Sequence, residues 1–357
     1  MRVIAKYRHI ITAVIAILCI GAVVYLGVRL QNLRNENVAA DTFAGKAMGT
    51  AVKKTIYSDS TVKSEEVSKE IDILLEELEN QISVRVADSE VYLCNHNYAV
   101  DGIYDLSNRL VDYLKQEMEI CEETNGAFSP CIRPLADLWG IEDGKTEVPT
   151  DTLIRDTLKK TDVSQIEIVD KGIIFHDENM AIDFGASGKG IACDQIMEKL
   201  WDKGIQGAVI SVGGSIAVYG SKGNGKEWHI GVQDPRGEEE DVLGVIDFSG
   251  SKMIATSGDY EKYFEADRKR YHHILDPSTG YPVDNDLISV TVISDSGFLS
   301  DALSTACFVM GLEKGMDYAE HKGVDAVFVT KDKKVYVTKN LKRSFRIQAD
   351  GYKLVKK

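Results

Sequence analysis

GAVISVGGSIAVYG, Gly207–Gly220, reads as strand with a glycine pair, Gly213-Gly214, inside it. Glycines within a strand pattern mark a bulge or a close ligand. More strand patterns follow with little helix between them: EWHIGV (227–232), LGVIDF (243–248), YHHIL (271–275) and LISVTVI (287–293). A doubly wound parallel sheet would need a helix after nearly every strand. The expected fold class is therefore α+β, with mixed or antiparallel sheets packed against helices.

Helices flank this strand-rich region. In Thr61–Ile82, Val67, Ile71, Leu74, Leu78 and Ile82 recur at steps of three and four, which predicts an amphipathic helix. Leu106–Thr124 is a second, stopped by Asn125-Gly126. PTDTLIRDTLKK (149–160) is a third, with Thr150 and Asp151 as the cap. Cys193–Lys203 is a fourth, ending at Gly204. Asp301–Gly311 reads as a buried helix after a Ser300 cap. QIEIV and IIFH form a hairpin around Asp170-Lys171-Gly172, MAIDF (180–184) extends the strand pattern, and AVFVT with VYVT closes the chain as another hairpin.

Arg2, Lys6 and Arg8 precede Ile10–Val28, an uncharged and almost wholly apolar run. At about 1.5 Å per residue it spans a ~30 Å hydrocarbon core. It is longer than the usual signal-peptide apolar region. The expected organisation is a cytoplasmic N-terminus (1–9), a transmembrane signal-anchor helix (10–30), a polar linker (31–42) and one domain (43–357). The positive flank places that domain outside the cytoplasm, tethered to the cell membrane by a single pass.

The formal charge is −14. The first thirty residues hold four of the 42 bases and no acid, so the remainder carries 38 bases against 56 acids, or −18. Such a surface repels nucleic acid, which excludes that class of partner. None of the six cysteines is in CxxC spacing. With Cys19 in the apolar run, five remain, and they read as small buried hydrophobes rather than a zinc site or disulfide framework.

Several segments could carry chemistry. RYHHILDPSTG (270–280) sets two of the seven histidines side by side before a turn. IDFGASGKGIACD (182–194) reads as strand, glycine-rich turn and helix start; the amides and Lys189 could bind phosphate, or the segment is an ordinary tight turn. Its glycine spacing is not that of a Walker A loop. In SDALSTACFVMG (300–311), Asp301, Ser304 and Thr305 share one helix face among apolar residues. Hard oxygen donors of this kind suit Mg2+; the alternative is a hydrogen-bonded cap. ATSGDYEKYF (255–264) is a turn between strands carrying Ser257, Asp259 and Tyr260. TNGAFSPCIRPLADLWG (124–140) is a loop with Phe128 and two prolines.

These segments occur in an order that resembles the ApbE family, the FAD:protein FMN transferases. The likeness is carried by AMGT (47–50), SVRVADSEVYLCNHN (83–97), GAFSPCIRPLADLWG (126–140), IDFGASGKGIACD (182–194), GAVISVGGSIAVYG (207–220), IGVQDP (230–235), IATSGDYEKYFEADRKRYHHILDPSTGYP (254–282) and SVTVISDSGFLSDALSTACFVMG (289–311). The resemblance implies an ApbE or T-fold-like domain. It implies transfer of FMN from FAD to a threonine hydroxyl on an acceptor protein, with release of AMP. The Mg2+ ligands it implies are Asp301, Thr305 and the Ala186 carbonyl, with Ser304 as a further contributor. Met48, Arg85, Ala127, Phe128, Ser129, Asp183, Lys189 and Leu275 fall at FAD-contacting positions. A threonine hydroxyl needs a base, for which His273 is the first candidate and His272 the second, with Asp259 and Asp276 to orient or assist. Ser129 stands where many members have Asp or Asn, and Arg85 where many have an aromatic. No acceptor motif of the Asp-x-x-Ser/Thr-x-Ala-Thr type occurs in the chain, so the acceptor is another protein. Two other readings compete: a Mg2+-dependent FAD pyrophosphatase using water, and a membrane-tethered flavin-binding protein without turnover.

Overall fold

The computed structural model describes residues 38–355 except 224 and 239. The anchor expected at Ile10–Val28 lies outside the described residues. Among those described, no helix is long and apolar enough to cross a membrane.

Gly207–Gly220 is a hairpin, not one strand interrupted by glycines. Gly207–Val212 pairs antiparallel with Ser215–Gly220, and Val212 sits opposite Ser215. Gly213 and Gly214 are the two-residue turn, with Gly213 at φ +57°. That conformation is costly for a residue with a Cβ, and a Cβ on Gly213 would also meet Thr50 Oγ1 at 2.7 Å. Met48 and Gly49 make a similar turn between Ala39–Ala47 and Thr50–Ser58, both with positive φ, as a tight primed hairpin turn requires. The strand Ala39–Ala47 takes in residues 39–42, which the sequence assigned to the linker.

Both hairpins belong to one nine-stranded sheet. In spatial order its strands are Ala39–Ala47, Thr50–Ser58, Gly207–Val212, Ser215–Gly220, Lys252–Gly258, Leu287–Ser294, Asp325–Thr330, Lys334–Val337 and Lys353–Leu354. Every pair is antiparallel except the last, so the sheet is mixed. Successive side chains point to opposite faces, and here both faces are covered. Met253, Val292, Ala326 and Phe328 face a helical layer that includes Thr61–Ile82, Gly188–Asp202 and Gly297–Met310. Ile254, Ile293, Val327 and Val329 face a smaller sheet built from Trp228–Gln233, Val242–Phe248 and Phe345–Ile347. Leu287–Ser294 is buried at all eight positions. The five described cysteines are free and buried; burial pushes the Cys94 and Cys121 thiols up to about 12 and about 11.

A third cluster lies beside this sandwich. Leu135 and Trp139 of the Arg133–Trp139 helix pack with Phe264 and Leu275. Trp139 stacks on Tyr271 at 5.6 Å and donates Nε1–H to the Gly280 carbonyl at 2.8 Å. These contacts hold the hairpin Tyr263–Ala266/Lys269–His272 against the domain.

Other boundaries also differ from the sequence reading: the helix expected at Cys193–Lys203 begins at Gly188. YHHIL is strand only to His272; the chain then bends, and Leu275 makes an isolated bridge with Pro282. Met180–Phe184 is not a strand. The helix expected from Asp301 starts at Gly297, capped by Ser296, whose Oγ accepts the Leu299 N–H. Asp301 therefore lies inside the helix and is not its cap.

Candidate active site

The segment Ile182–Gly188 is positioned by a side chain rather than by strand pairing. Asn95 donates to the Ile182 carbonyl and accepts its N–H, both at 2.9 Å. This holds Asp183 at the cavity wall, where it accepts the Gly185 N–H at 2.8 Å and faces Arg133 at 3.4 Å. Burial raises the Asp183 carboxyl and Arg133 offsets part of that rise. Behind the turn, Ser187 donates to the fully buried Glu117 at 2.6 Å.

The helices Gly188–Asp202 and Gly297–Met310 touch through glycines. A Cβ on Gly190 would lie 2.1 Å from the Gly297 carbonyl oxygen, and one on Gly297 would lie 2.2 Å from that of Gly190. One turn beyond Gly297, Asp301 Oδ2 accepts the Gly190 N–H at 2.8 Å, while Oδ1 accepts from Ser215 Oγ at 3.1 Å. Gly190 is in the first turn of its helix, where amides have no intrahelical acceptor, and Asp301 supplies one. Gly190→Ala should cost roughly 1–3 kcal/mol by overpacking. Thermal unfolding would show it as a fall in Tm, and an unchanged Tm would mean that the helices separate without cost.

Asp301 and Thr305 line one cavity together with Ala186, Lys189 and Ser257. Ser304 lines neither this cavity nor its neighbour. Its hydroxyl donates to the Asp301 carbonyl at 2.8 Å and lies 2.8 Å from Ser257 Oγ, which is 3.0 Å from Thr305 Oγ1. The Asp301 charge, above all, raises the Lys189 ammonium, so it stays charged.

The two histidines part company. His273 lines the cavity and its neighbour. Its N–H donates to the Lys262 carbonyl at 3.0 Å, and Nδ1 lies 3.3 Å from the same oxygen. An Nδ1–H donated there leaves the lone pair on Nε2. Burial presses His273 down to about 4, against the pull of the Glu142 carboxylate. His272 points the other way, because neighbours on an extended chain project to opposite faces. It is 3% exposed, bonds the Val283 carbonyl through Nε2 at 2.9 Å and sits edge-on to Phe308.

Asp259 lies on the His272 side, gripped by Arg236 through two bonds of 2.8 and 2.7 Å. Asp276 lines neither cavity; it accepts from the Ser278 N–H and hydroxyl and so shapes the turn. His272, Asp259 and Asp276 are thus not gathered with His273. His272→Gln should leave catalysis far less affected than His273→Gln, and comparing the two turnover rates checks the assignment.

Two lobes meet at this site. The first is lined by Ala127, Phe128, Ser129, Trp139 and Leu275. The second is lined by Met48, Ile82, Val84, Arg85 and Phe184. Asp183, Gly185, Lys189, Glu142, Glu261 and His273 border both. Phe128 is placed by Thr124, whose Oγ1 accepts its N–H at 3.2 Å, and Met48 by Glu79, which accepts its N–H at 3.0 Å. Arg85 is held by Glu142 at 3.1 Å and Asp143 at 3.0 Å. Burial acts to raise Glu142, but the Lys262 hydrogen bond and the charges of Lys262, His273 and Arg85 hold it at about 2. Two partly apolar lobes joined at a cation suit a ligand with a ring system at each end and phosphates between.

Glu142, Glu261 and Ser257 are the site residues that sequence reasoning passed over or left without a role. Glu261 directly follows the Asp259-Tyr260 pair singled out in the sequence, and its carboxyl, raised by burial, is eased by Lys189. Glu142 stands in a short helical turn after Trp139-Gly140, a place with no local signal.

The ApbE family model matches residues 48–328. A protein of Vibrio cholerae named FAD:protein FMN transferase is 32% identical over 291 residues, 81% of this chain and 86% of its own. The solved flavin transferase ApbE from Vibrio cholerae superposes with a TM-score of 0.78 at 28% identity, covering 86% of this chain and 99% of that one. The ApbE protein of Thermotoga maritima gives 0.78 at 29% identity, covering 86% and 100%.

Proposed function

Because the chain belongs to the ApbE family, we propose that it moves FMN from FAD to a threonine hydroxyl of an acceptor protein and releases AMP. The two-lobed cavity with Lys189 and His273 at its junction carries this reading. A dinucleotide laid across both lobes brings its pyrophosphate to that junction. There the threonine oxygen attacks the phosphorus on the FMN side. The P–O bond to the AMP phosphate breaks, and His273 Nε2 takes the hydroxyl proton. Lys189 sets charge against the phosphate oxygens. Met48, Arg85, Ala127, Phe128, Ser129, Asp183 and Leu275 hold the rest of FAD.

The oxygen donors at the Asp301 end fit Mg2+. One carboxylate, one hydroxyl and a carbonyl, all bordering the same cavity, leave positions for phosphate oxygens. No group of three or more His, Cys, Asp or Glu side chains among the described residues offers a site of another kind. Asp301, Thr305 and the Ala186 carbonyl would hold the ion, and Ser304 would support them through Ser257 and the Asp301 carbonyl. When bound, Mg2+ neutralises phosphate charge. We place the domain outside the cytoplasm, tethered to the cell membrane through Ile10–Val28.

The test mixes the full chain with FAD, Mg2+ and an acceptor protein bearing a flavinylation-motif threonine. The expected result is an FMN mass added to the acceptor and one AMP released. AMP and free FMN without an adduct would instead make it a pyrophosphatase. Bound FAD without AMP would leave only a binding protein.

A further inference from the structure

The hairpin that ends in His273 has a second face. Tyr271 packs against Trp139, whereas Arg270 and His272, offset by one residue, line a separate cavity of about 430 Å³. Five of its lining side chains are cationic: Arg236, Arg268, Lys269, Arg270 and Lys331. Two are anionic, Asp259 and Asp284. Glu265, outside the lining, pairs with Arg270, so two positive charges are left over in one concavity, on a chain whose net charge is −14.

The internal pairings show which cations are spent. Asp259 is taken up by the Arg236 fork. Asp284 is shared by Lys269 at 2.9 Å and Lys331 at 3.6 Å. Arg270 reaches Glu265 at 3.3 Å and lies over the Tyr263 ring. Arg268 has no ion pair or hydrogen bond among the described residues, is exposed, and sits at φ +63°. His272, in the same wall, is almost wholly buried, and its Nδ1 finds no partner there. Like charges held together repel, and a concave surface concentrates their field.

We propose that this cavity is a second ligand site, for a phosphate-type oxyanion, on the reverse face of the hairpin from the His273 cavity. A tetrahedral dianion presents enough oxygens to meet Arg268, Arg270 and Lys331 together, and guanidinium forks match its edges. A carboxylate has two oxygens and one charge and would leave part of the excess unmet. The site stands whether or not the flavin reading holds.

The test titrates the full chain with inorganic phosphate by calorimetry at constant ionic strength. Phosphate binding should persist in Lys189→Gln, which removes the cationic anchor of the other cavity. It should weaken at least about tenfold in the double variant Arg268→Ser/Lys331→Gln, whose exposed positions leave the fold intact. Circular dichroism verifies that fold. AMP added as a competitor separates the sources: displacement of phosphate assigns the site to nucleotide phosphates, and no displacement assigns it to the free ion. Absence of saturable binding, an affinity unchanged in the double variant, or binding lost in Lys189→Gln alone would overturn the proposal.

Discussion

His273→Ala should cut flavinylation of the acceptor by roughly 10²–10⁴-fold while FAD binding persists. The side chain borders both lobes, so its removal opens space without withdrawing a cation from the phosphates. Its Nδ1 faces the Lys262 carbonyl, which leaves Nε2 to accept a proton. The groups around it work in both directions. Burial, His272 and Lys189 favour the neutral ring, whereas Glu142 and the Lys262 carbonyl favour the charged one, and the balance lies at about 4. A base with a depressed pKa is already deprotonated above that value. The rate should therefore stay level as pH falls through 6.5, the ordinary histidine value, and drop only as pH approaches about 4. Single-turnover rates across pH measure this. A limb near 6.5 that vanishes in His273→Ala would show a solvated histidine, and a variant with wild-type rates would remove His273 from the mechanism.

Asp301→Asn should be as damaging for a different reason. Asn keeps the volume but loses the charge that faces Lys189 and that a divalent ion would need. Loss of one stabilising group of this kind costs roughly 10²–10³ in rate. The change also touches stability. Asp301 accepts from both Gly190 N–H and Ser215 Oγ, and the Asn amide nitrogen cannot replace an acceptor. A buried donor left without a partner costs about 1–3 kcal/mol. Ser215→Ala is the control, since it removes one hydrogen bond and leaves the carboxylate. The reading predicts that Asp301→Asn loses Mg2+ stimulation at temperatures where it is still folded, and that Ser215→Ala keeps it. Mg2+ titrations that superimpose for wild type and Asp301→Asn would exclude Asp301 as a ligand.

How far the sequence reached depended on whether local pattern or long-range topology set each residue. The Thr61–Ile82 helix is legible because its apolar residues recur at steps of three and four, and the structure gives it the same ends, with Ser60 as the cap. Asp301 and Thr305 stood out as polar residues in an apolar helix, which is itself a local contrast. Gly213-Gly214 was misassigned because a glycine pair marks a bulge and a tight turn with the same letters; only the pairing of Val212 with Ser215 separates them. The histidine pair was visible, but which member faces the cavity depends on the strand ending at His272 and on the direction of its pleat. Glu142 and Ser257 reach the site from elements far apart in the chain, and no spacing announces such a meeting.

Leu287–Ser294 has strands on both edges and a cover on both faces. Its amides should exchange with deuterium only through opening of the whole domain. Asp301 hangs from the helix that follows directly. His273, by contrast, follows a two-stranded ribbon that joins no other sheet and packs on the Leu135–Trp139 cluster, and that ribbon should exchange by local opening. The two halves of the cavity should therefore exchange at different rates. A bulky ligand can be admitted by breathing of the histidine side while the carboxylate side keeps its place.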